Sequence, residues 1–449
     1  MIRLHDTALR RQAEVEPRDP GRLAMYVCGP TVYDLPHVGH GRSLLVYDVL
    51  RRYLEWSGID VQHVSNVTDI DDKIIERAWR DGRSPGDVAA QYEEAWYEAV
   101  DGLGVLRPHQ DPHATDYVEE MVALVARLVE TGHAYSAGDG VYLATDTVGG
   151  YGLLAGQSLE TLRPGERVEV VEGKRSPQDF ALWKLAKPGE PSWPSPWGDG
   201  RPGWHTECVV MSLDLLGEDF DLHTGGLDLV FPHHENERAQ AVALGRPFAR
   251  RWMHHAFVEV AGEKMSKSLG NFTTLTDLLA NTDPRAYRLL VLQSQYRKPL
   301  EVTGASLDDA RRALGTLDDF ARRTADVPPA APDEEALGRF RARMDDDLDT
   351  PGVIADVAEL RRRANARLDA GDAAGAAPLV AAVREITSVL GLELAGGGDQ
   401  LDATAAALVK ERDEARAAKD WARADAIRAQ LEAHGWVVED TPGGTRLHR

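Results

Sequence analysis

Leu23-Ala24-Met25-Tyr26-Val27-Cys28-Gly29-Pro30 is the stretch that decides the fold. An uncharged, mostly apolar run from Leu23 to Cys28 is the pattern of a strand buried on both faces, and Gly29-Pro30 ends it. From about Gly41 to Trp56, Leu45, Val46, Val49, Leu50, Tyr53 and Leu54 recur at helical spacing. After the Ser57-Gly58 stop, Val61, His63 and Val64 mark a second strand over Asp60 to Asn66. Strand, helix and strand in this order form the βαβ unit of doubly wound parallel sheets. The opening of the chain therefore predicts an α/β, Rossmann-like domain. His37-Val38-Gly39-His40 falls at the carboxyl end of its first strand and just before its helix, where such sheets bind ligands.

Outward from this unit, Asp116 to Glu130 reads as a helix, and the glycine- and proline-rich Gly132 to Gly203 reads as an insertion with short strands such as Gly140 to Leu143. The α/β pattern resumes at Phe220-Asp221-Leu222-His223, with a helix beginning near His233 and a strand from Phe257 to Val260. Beyond Asn271 helices dominate: Leu275 to Ala280, Pro284 to Gln295, Ser306 to Arg323, Glu334 to Asp347, Pro351 to Leu368 and Ala373 to Leu390. Gly396-Gly397-Gly398 is a joint, followed by helices Ala403 to Lys419 and Trp421 to His434 and a small hairpin. The expected architecture is a doubly wound parallel-sheet catalytic domain (1–115 and 200–255) carrying a connective insertion (116–199). A loop and stem-contact region (256–305), an α-helical bundle (306–395) and a small C-terminal α+β module (400–449) complete it.

A chain of 449 residues with 43% hydrophobic content supports several cores. The opening Met1-Ile2-Arg3-Leu4-His5-Asp6 lacks a signal-peptide h-region, and no uncharged apolar run reaches the roughly 18 residues of a membrane helix. A cytoplasmic protein with no membrane partner is expected, and a monomer. Two cysteines, Cys28 and Cys208, are too few for a disulfide scaffold and too far apart for a CxxC pair. The net charge of -22 argues against nucleic acid as a partner of the whole surface, so RNA binding would need local basic patches.

Two motifs suit chemistry at a nucleotide phosphate. At a helix N-terminus His37 and His40 bring imidazole N–H groups toward phosphate, and Gly39 allows close approach. Lys264-Met265-Ser266-Lys267-Ser268 supplies Lys264 and Lys267 on a small-residue loop able to close on a leaving pyrophosphate. A third constellation has metal character: Cys28, Cys208, and His233 and Glu237 from Pro232-His233-His234-Glu235-Asn236-Glu237. His233 and Glu237, four apart on a helix, face the same way. Buried thiols beside an acidic helix remain the alternative reading of these residues.

Taken together, these stretches resemble class I cysteinyl-tRNA synthetase. The resemblance also rests on Met25 to Asp34, Asn66-Val67-Thr68-Asp69-Ile70-Asp71-Asp72-Lys73, Ser195-Pro196-Trp197-Gly198, Gly203-Trp204-His205-Thr206-Glu207-Cys208, Gly262 to Asn271 and Glu439-Asp440-Thr441-Pro442. It is weakest over Ala137 to Val171 and Ala373 to Gly398. It implies ATP-dependent activation of L-cysteine and transfer to tRNA(Cys), with one zinc ion held by Cys28, Cys208, His233 and Glu237 and Mg²⁺ accompanying ATP. A thiolate-binding metal makes sense of choosing cysteine over serine, which packing alone separates poorly. Substrate contacts are expected at Thr31, Thr68, Trp204, His223 and Asp228. His223-Thr224-Gly225-Gly226 departs from the family's more glycine-rich run by its threonine. In the terminal segment Arg412, Arg416, Arg423 and Arg428 recur at helical intervals as a basic tRNA face, Trp436 is expected to stack on an unpaired base, and Asp440 lies in the matching terminal motif. From Thr404 to Arg449 eight basic residues balance eight acidic ones, unlike the whole chain. The nearest alternative is a cysteine-activating ligase that acts on an amino sugar in thiol biosynthesis. Such relatives are shorter and lack the terminal module.

Overall fold

The computed structural model describes residues 2–157, 173–260, 263–264, 273–395, 403–434, 436–441 and 444–448. It divides into two compact units. The first comprises Met1–Leu307, Arg339–Ile354 and Val389–Gly391; the second comprises Asp308–Gly338, Ala355–Ser388 and Leu392–Arg449.

The first unit opens with a hairpin of β1 (Arg3–Asp6) and β2 (Arg11–Glu14), followed by β3 (Arg22–Val27), α1 (Val38–Trp56) and β4 (Asp60–Ser65). In β3 every residue from Leu23 to Val27 is buried, as an interior parallel strand requires. The helices α2 (Asp72–Asp81) and α3 (Pro85–Gly102) follow from local signals that hydrophobic spacing did not reveal. The Asp71 carboxylate caps α2 at Lys73 N, and Gly82 ends it at φ 65°; Ser84 caps α3, with Pro85 as its first residue. A helix α4 (Val118–Glu130) then leads into an antiparallel sheet of β5 (Ala134–Ala137), β6 (Gly140–Leu143), β7 (Phe180–Leu185) and β8 (Gly200–Pro202), which is the insertion. Its expected tip lies partly outside the described residues.

The chain returns through α5 (Trp204–Leu216), β9 (Leu222–Gly226), α6 (Glu235–Ala243) and β10 (Arg251–His255). Strand β10 was not expected, because Arg251, His254 and His255 make it look polar. Yet Trp252, Met253, His254 and His255 are all buried. The main sheet runs β10-β9-β3-β4, all parallel, with Tyr26 opposite His223 and Met25 opposite His63. From β4 the chain returns across β3 to β9, so the topological switch lies between β3 and β9, beside Cys28. Thr224 sits in extended β9, where its Oγ1 donates to Tyr26 O at 3.2 Å, so the threonine fits where glycine was anticipated.

Three short strands, β11 (Val258–Val260), β12 (Glu263–Lys264) and β13 (Leu300–Glu301), form a further sheet with α7 (Leu275–Asn281) and α8 (Pro284–Leu292) between β12 and β13 in sequence. The remaining helices are α9 (Gly304–Arg323), α10 (Glu334–Asp345), α11 (Thr350–Asp369), α12 (Ala373–Val389), α13 (Ala403–Ala417) and α14 (Trp421–Ala433), before the hairpin β14 (Val437–Thr441) and β15 (Gly444–His448). In the second unit, Ala405, Ile427, Leu431, Trp436 and Val438 form the small core of the terminal module. Among the described residues no helix is long and apolar enough to cross a membrane.

Candidate active site

His37-Val38-Gly39-His40 does not precede α1 but forms its first turn. His37 is the N-cap: His40 N donates to His37 Nδ1 at 3.3 Å, and His37 N donates to His40 Nδ1 at 3.2 Å. The rings stack 3.7 Å apart at 16°. Because each Nδ1 accepts a backbone hydrogen, each neutral ring carries its proton on Nε2, so two imidazole donors stand at a helix N-terminus. The chain just after the lysine motif is laced to this turn. Val38 N donates to Thr273 O at 3.1 Å, Leu275 N donates to Pro36 O at 2.8 Å, and His37 bridges Thr274. Segments more than 200 residues apart in sequence thus meet, at Pro36–Val38 and Thr273–Leu275. Lys264 ends β12; Lys267 lies outside the described residues.

Arg42, one turn further along α1, is 1% exposed. It donates to the carbonyls of Ala256 (2.9 Å), Phe257 (2.7 Å), Tyr296 (3.1 Å) and Lys298 (2.5 Å). Burial lowers its pKa to about 10. This guanidinium ties the histidine-bearing helix to the segment that enters β11.

At the switch point Cys28 follows β3, Cys208 lies in α5, and His233 and Glu237 flank the start of α6. The last two meet as their i, i+4 spacing requires, His233 Nε2 to Glu237 Oε1 at 3.0 Å. Cys28 Sγ lies 3.8 Å from Cys208 Sγ and 3.6 Å from Glu237 Oε1, and Cys208 Sγ lies 3.6 Å from His233 Nε2. Tetrahedral zinc, with Zn–S bonds of about 2.3 Å and Zn–N or Zn–O bonds of about 2.1 Å, needs S–S edges of about 3.8 Å, mixed edges of about 3.6 Å and N–O edges of about 3.4 Å. The three sulfur contacts match these edges, and the His233–Glu237 contact is tighter, so the donor set fits such an ion with a small opening of that pair. Gly29 makes the approach possible: a Cβ there would stand 1.7 Å from Asn66 O.

Charge in the cluster is strongly redistributed. Burial opposes ionisation of Glu237, but His223 and His233 outweigh it and hold the carboxyl far below its usual range. Burial likewise opposes charge on His233, yet Glu237 and Cys208 lift it to about 10. Burial pushes Cys28 up, whereas Cys208 is held down to about 6, first by its hydrogen bond with Cys28. Burial drives His205 and His234 far below the usual imidazole range and His254 to about 3, leaving all three neutral.

The expected substrate residues fare differently. Trp204 stacks on His233, 3.9 Å between centroids at 20°, and so shapes one wall of the cluster. Thr31 bridges Thr68 across the ends of β3 and β4, and Thr68 Oγ1 donates to the buried Glu207 Oε2 at 2.8 Å, a carboxyl that burial pushes well above its usual range. Asp228 is exposed at the end of β9. His223 is fully buried, with Nε2 2.7 Å from Glu237 Oε2, so it braces that carboxylate. Sequence reasoning also missed Asn66, His205, His234 and His254. The adjacent pairs His233-His234 and His254-His255 were the visible signal.

In the terminal module Arg412 and Trp436 correct the basic-face expectation. Arg412 is 2% exposed and donates to Thr445 Oγ1 at 2.6 Å, and Trp436 is 4% exposed within the module core. Arg416 is half-buried; Arg423 pairs with Glu411 and Arg428 with Glu432. The side chain of Asp440 lies outside the described residues. Trp421, 60% exposed at the first position of α14, is the aromatic that faces solvent.

Residues 14–312 match the family described as "tRNA synthetases class I (C) catalytic domain", residues 339–395 a "DALR domain", and residues 398–447 a "Cysteinyl-tRNA ligase anticodon binding domain". The chain is 48% identical over 464 residues to the cysteine–tRNA ligase of Alkalilimnicola ehrlichii, and 47% identical over 460 residues to that of Halorhodospira halophila. Both alignments cover 100% of each chain. Among solved structures, Mycobacterium tuberculosis methionyl-tRNA synthetase in complex with methionyl-adenylate superposes with a TM-score of 0.64 at 14% identity, covering 87% of this chain and 94% of that one, a likeness of fold. The terminal match removes the amino-sugar alternative. With its catalytic, DALR and anticodon-binding segments all matched and its full length aligned, the chain belongs to the cysteine–tRNA ligase family of class I aminoacyl-tRNA synthetases.

Proposed function

We propose that this site joins L-cysteine to ATP as cysteinyl adenylate and passes the cysteinyl group to the 3′ end of tRNA(Cys), with Cys28, Cys208, His233 and Glu237 holding one zinc ion. The observation that carries the reading is the meeting of these four donors, their ligand atoms all within 4.8 Å of one another, at the carboxyl end of the strand whose following helix begins with His37 and His40. Bound there, zinc supplies a soft acceptor that takes a thiolate and discriminates against a hydroxyl.

The protein's own groups do the rest. Trp204 and Thr68 border the substrate, and the exposed Asp228 carboxylate receives its ammonium group. In the first step an oxygen of the cysteine carboxylate bonds to the α-phosphorus of ATP as the bond to pyrophosphate breaks. His37 and His40 donate from Nε2 to the phosphate oxygens as charge grows on them, and Lys264 and Lys267 neutralise the departing pyrophosphate, which carries Mg²⁺. In the second step the terminal ribose hydroxyl of tRNA attacks the mixed anhydride and AMP leaves. In the terminal module Arg416, Arg423 and Arg428 meet the tRNA backbone, with Asp440 nearby, while exposed Trp421 takes the stacking role first expected of Trp436. The protein acts as a cytoplasmic monomer.

The test is Lys267→Ala. Cysteine-dependent ATP–pyrophosphate exchange should collapse while bound zinc stays at one per chain. Unaltered exchange would remove the pyrophosphate role.

A further inference from the structure

Behind the metal-ligand set runs a line of side chains that the reaction above does not use. Thr7 Oγ1 lies 2.7 Å from His254 Nδ1, His254 Nε2 lies 2.8 Å from His234 Nδ1, and His234 Nε2 lies 3.2 Å from Cys28 Sγ. Thr7 is half-buried in the turn after β1; His254 and His234 are 3% and 0% exposed. The same His234 belongs to a second set of four possible ligands, Cys28, His223, His234 and Glu237, which shares two members with the first. Only one of the two overlapping sets can hold an ion at a time.

Hydrogen-bond direction separates them. A metal-bound Cys28 is a thiolate and can only accept, so His234 must present Nε2–H to it. His234 Nδ1 is then bare and must receive a hydrogen from His254 Nε2–H. His254 Nδ1 is bare in turn and must receive one from the Thr7 hydroxyl. Reversing every bond would instead bare His234 Nε2 and make it a metal ligand in the second set. There the spacing is less regular, with His234 Nε2 4.0 Å from Glu237 Oε1 and 3.2 Å from Cys28 Sγ.

We propose that Thr7 and His254 are positioning residues: they orient His234 as a hydrogen-bond donor to the Cys28 thiolate, which fixes Cys28 as a ligand and withholds His234 from the ion. The inference rests on the zinc reading given above. Outer partners of this kind typically change metal affinity about 10–100-fold. Only the hydroxyl of Thr7 is needed for the role, so serine should serve where valine, of the same shape, should not.

The test uses the full-length zinc-loaded protein. Competition with a chelator should show zinc bound at least about tenfold more weakly by Thr7→Val and recovered by Thr7→Ser. Cobalt-loaded Thr7→Val should show altered thiolate-to-metal charge-transfer absorption. Independently of any variant, the ¹⁵N spectrum of wild-type zinc protein should show His234 and His254 both protonated at Nε2. Wild-type affinity and an unchanged cobalt spectrum in Thr7→Val, or His234 protonated at Nδ1, would overturn the proposal while leaving the zinc site intact. A wild-type protein that binds no zinc would instead remove the reading on which it stands.

Discussion

Replacing Arg42 with methionine tests how the histidine-bearing helix α1 is held to the segments that flank β11. The guanidinium serves the buried carbonyls of Ala256 and Tyr296 and the partly buried ones of Phe257 and Lys298. Phe257 O and Tyr296 O keep a backbone N–H each, from Leu300 and Ala256, whereas Ala256 O and Lys298 O keep none among the described residues. A buried acceptor left without a donor costs about 1–3 kcal/mol, which falls on Ala256 O, while Lys298 O, on an exposed residue, can turn to water. The two weakened carbonyls add a little, and relief of the buried charge, whose pKa burial depresses to about 10, subtracts from it. A net loss of about 2 kcal/mol is expected for Arg42→Met. Urea unfolding followed through the tryptophans of the first unit measures it. Because the same contacts hold α1 against the segment entering β11 and β12, pyrophosphate exchange should also slow by about tenfold to a hundredfold under conditions where the variant is folded. A stability loss under about 1 kcal/mol with normal exchange would show that Arg42 does not join the two segments.

Cys208→Ser should lose zinc, measured by elemental analysis, and discrimination between cysteine and serine should fall from about 10⁴ toward about 10², the range packing alone supplies; a metallated, selective variant would contradict the site. Trp421→Ala should raise KM for tRNA by about fivefold to a hundredfold while leaving pyrophosphate exchange unchanged, whereas Trp436→Ala should loosen the terminal module itself, read as protease sensitivity beyond Ala403. Asp72 adds a pH dependence: burial would raise its pKa, but Lys184 and Arg201 outweigh burial and hold it below 3.8. Its stabilising effect on the insertion sheet is therefore present above the unfolded value and fades as pH falls through the lower folded one. In wild type, acid loosening of residues 180–202 should begin below about pH 4, and Asp72→Asn should remove that transition, as hydrogen exchange would record.

The βαβ opening was legible because an interior parallel strand and an amphipathic helix carry opposite periodicities, and β3 and α1 carry them cleanly. The i, i+4 spacing of His233 and Glu237 foretold that these two side chains meet, while the approach of Cys28 and Cys208 to them was expected only from the resemblance. Burial was the hidden variable elsewhere. Arg412 looked like a surface cation and Trp436 like a base-stacking ring, yet both are inside, since an alternating hairpin does not declare which face packs on a helix. Strand β10 escaped because His254 and His255 read as polar, although neutral imidazoles can be buried once partnered. The contact of His223 with the Glu237 carboxylate was not legible, because it joins β9 to a helix 14 residues further on and no local spacing declares it.

The separation of the two sulfurs along the chain has a consequence for stability. Cys28 and Cys208 are 180 residues apart. An ion that grips both closes a loop of that length, and the conformational freedom it removes from the unfolded chain is worth about 5 kcal/mol by the reckoning used for disulfide cross-links. An ion held there to select the amino acid would double as a staple of the parallel-sheet core, so stripping it should lower the melting temperature as well as fidelity. During synthesis the staple cannot close until α6 has emerged, which makes metal capture a report that the whole parallel sheet up to that helix is assembled.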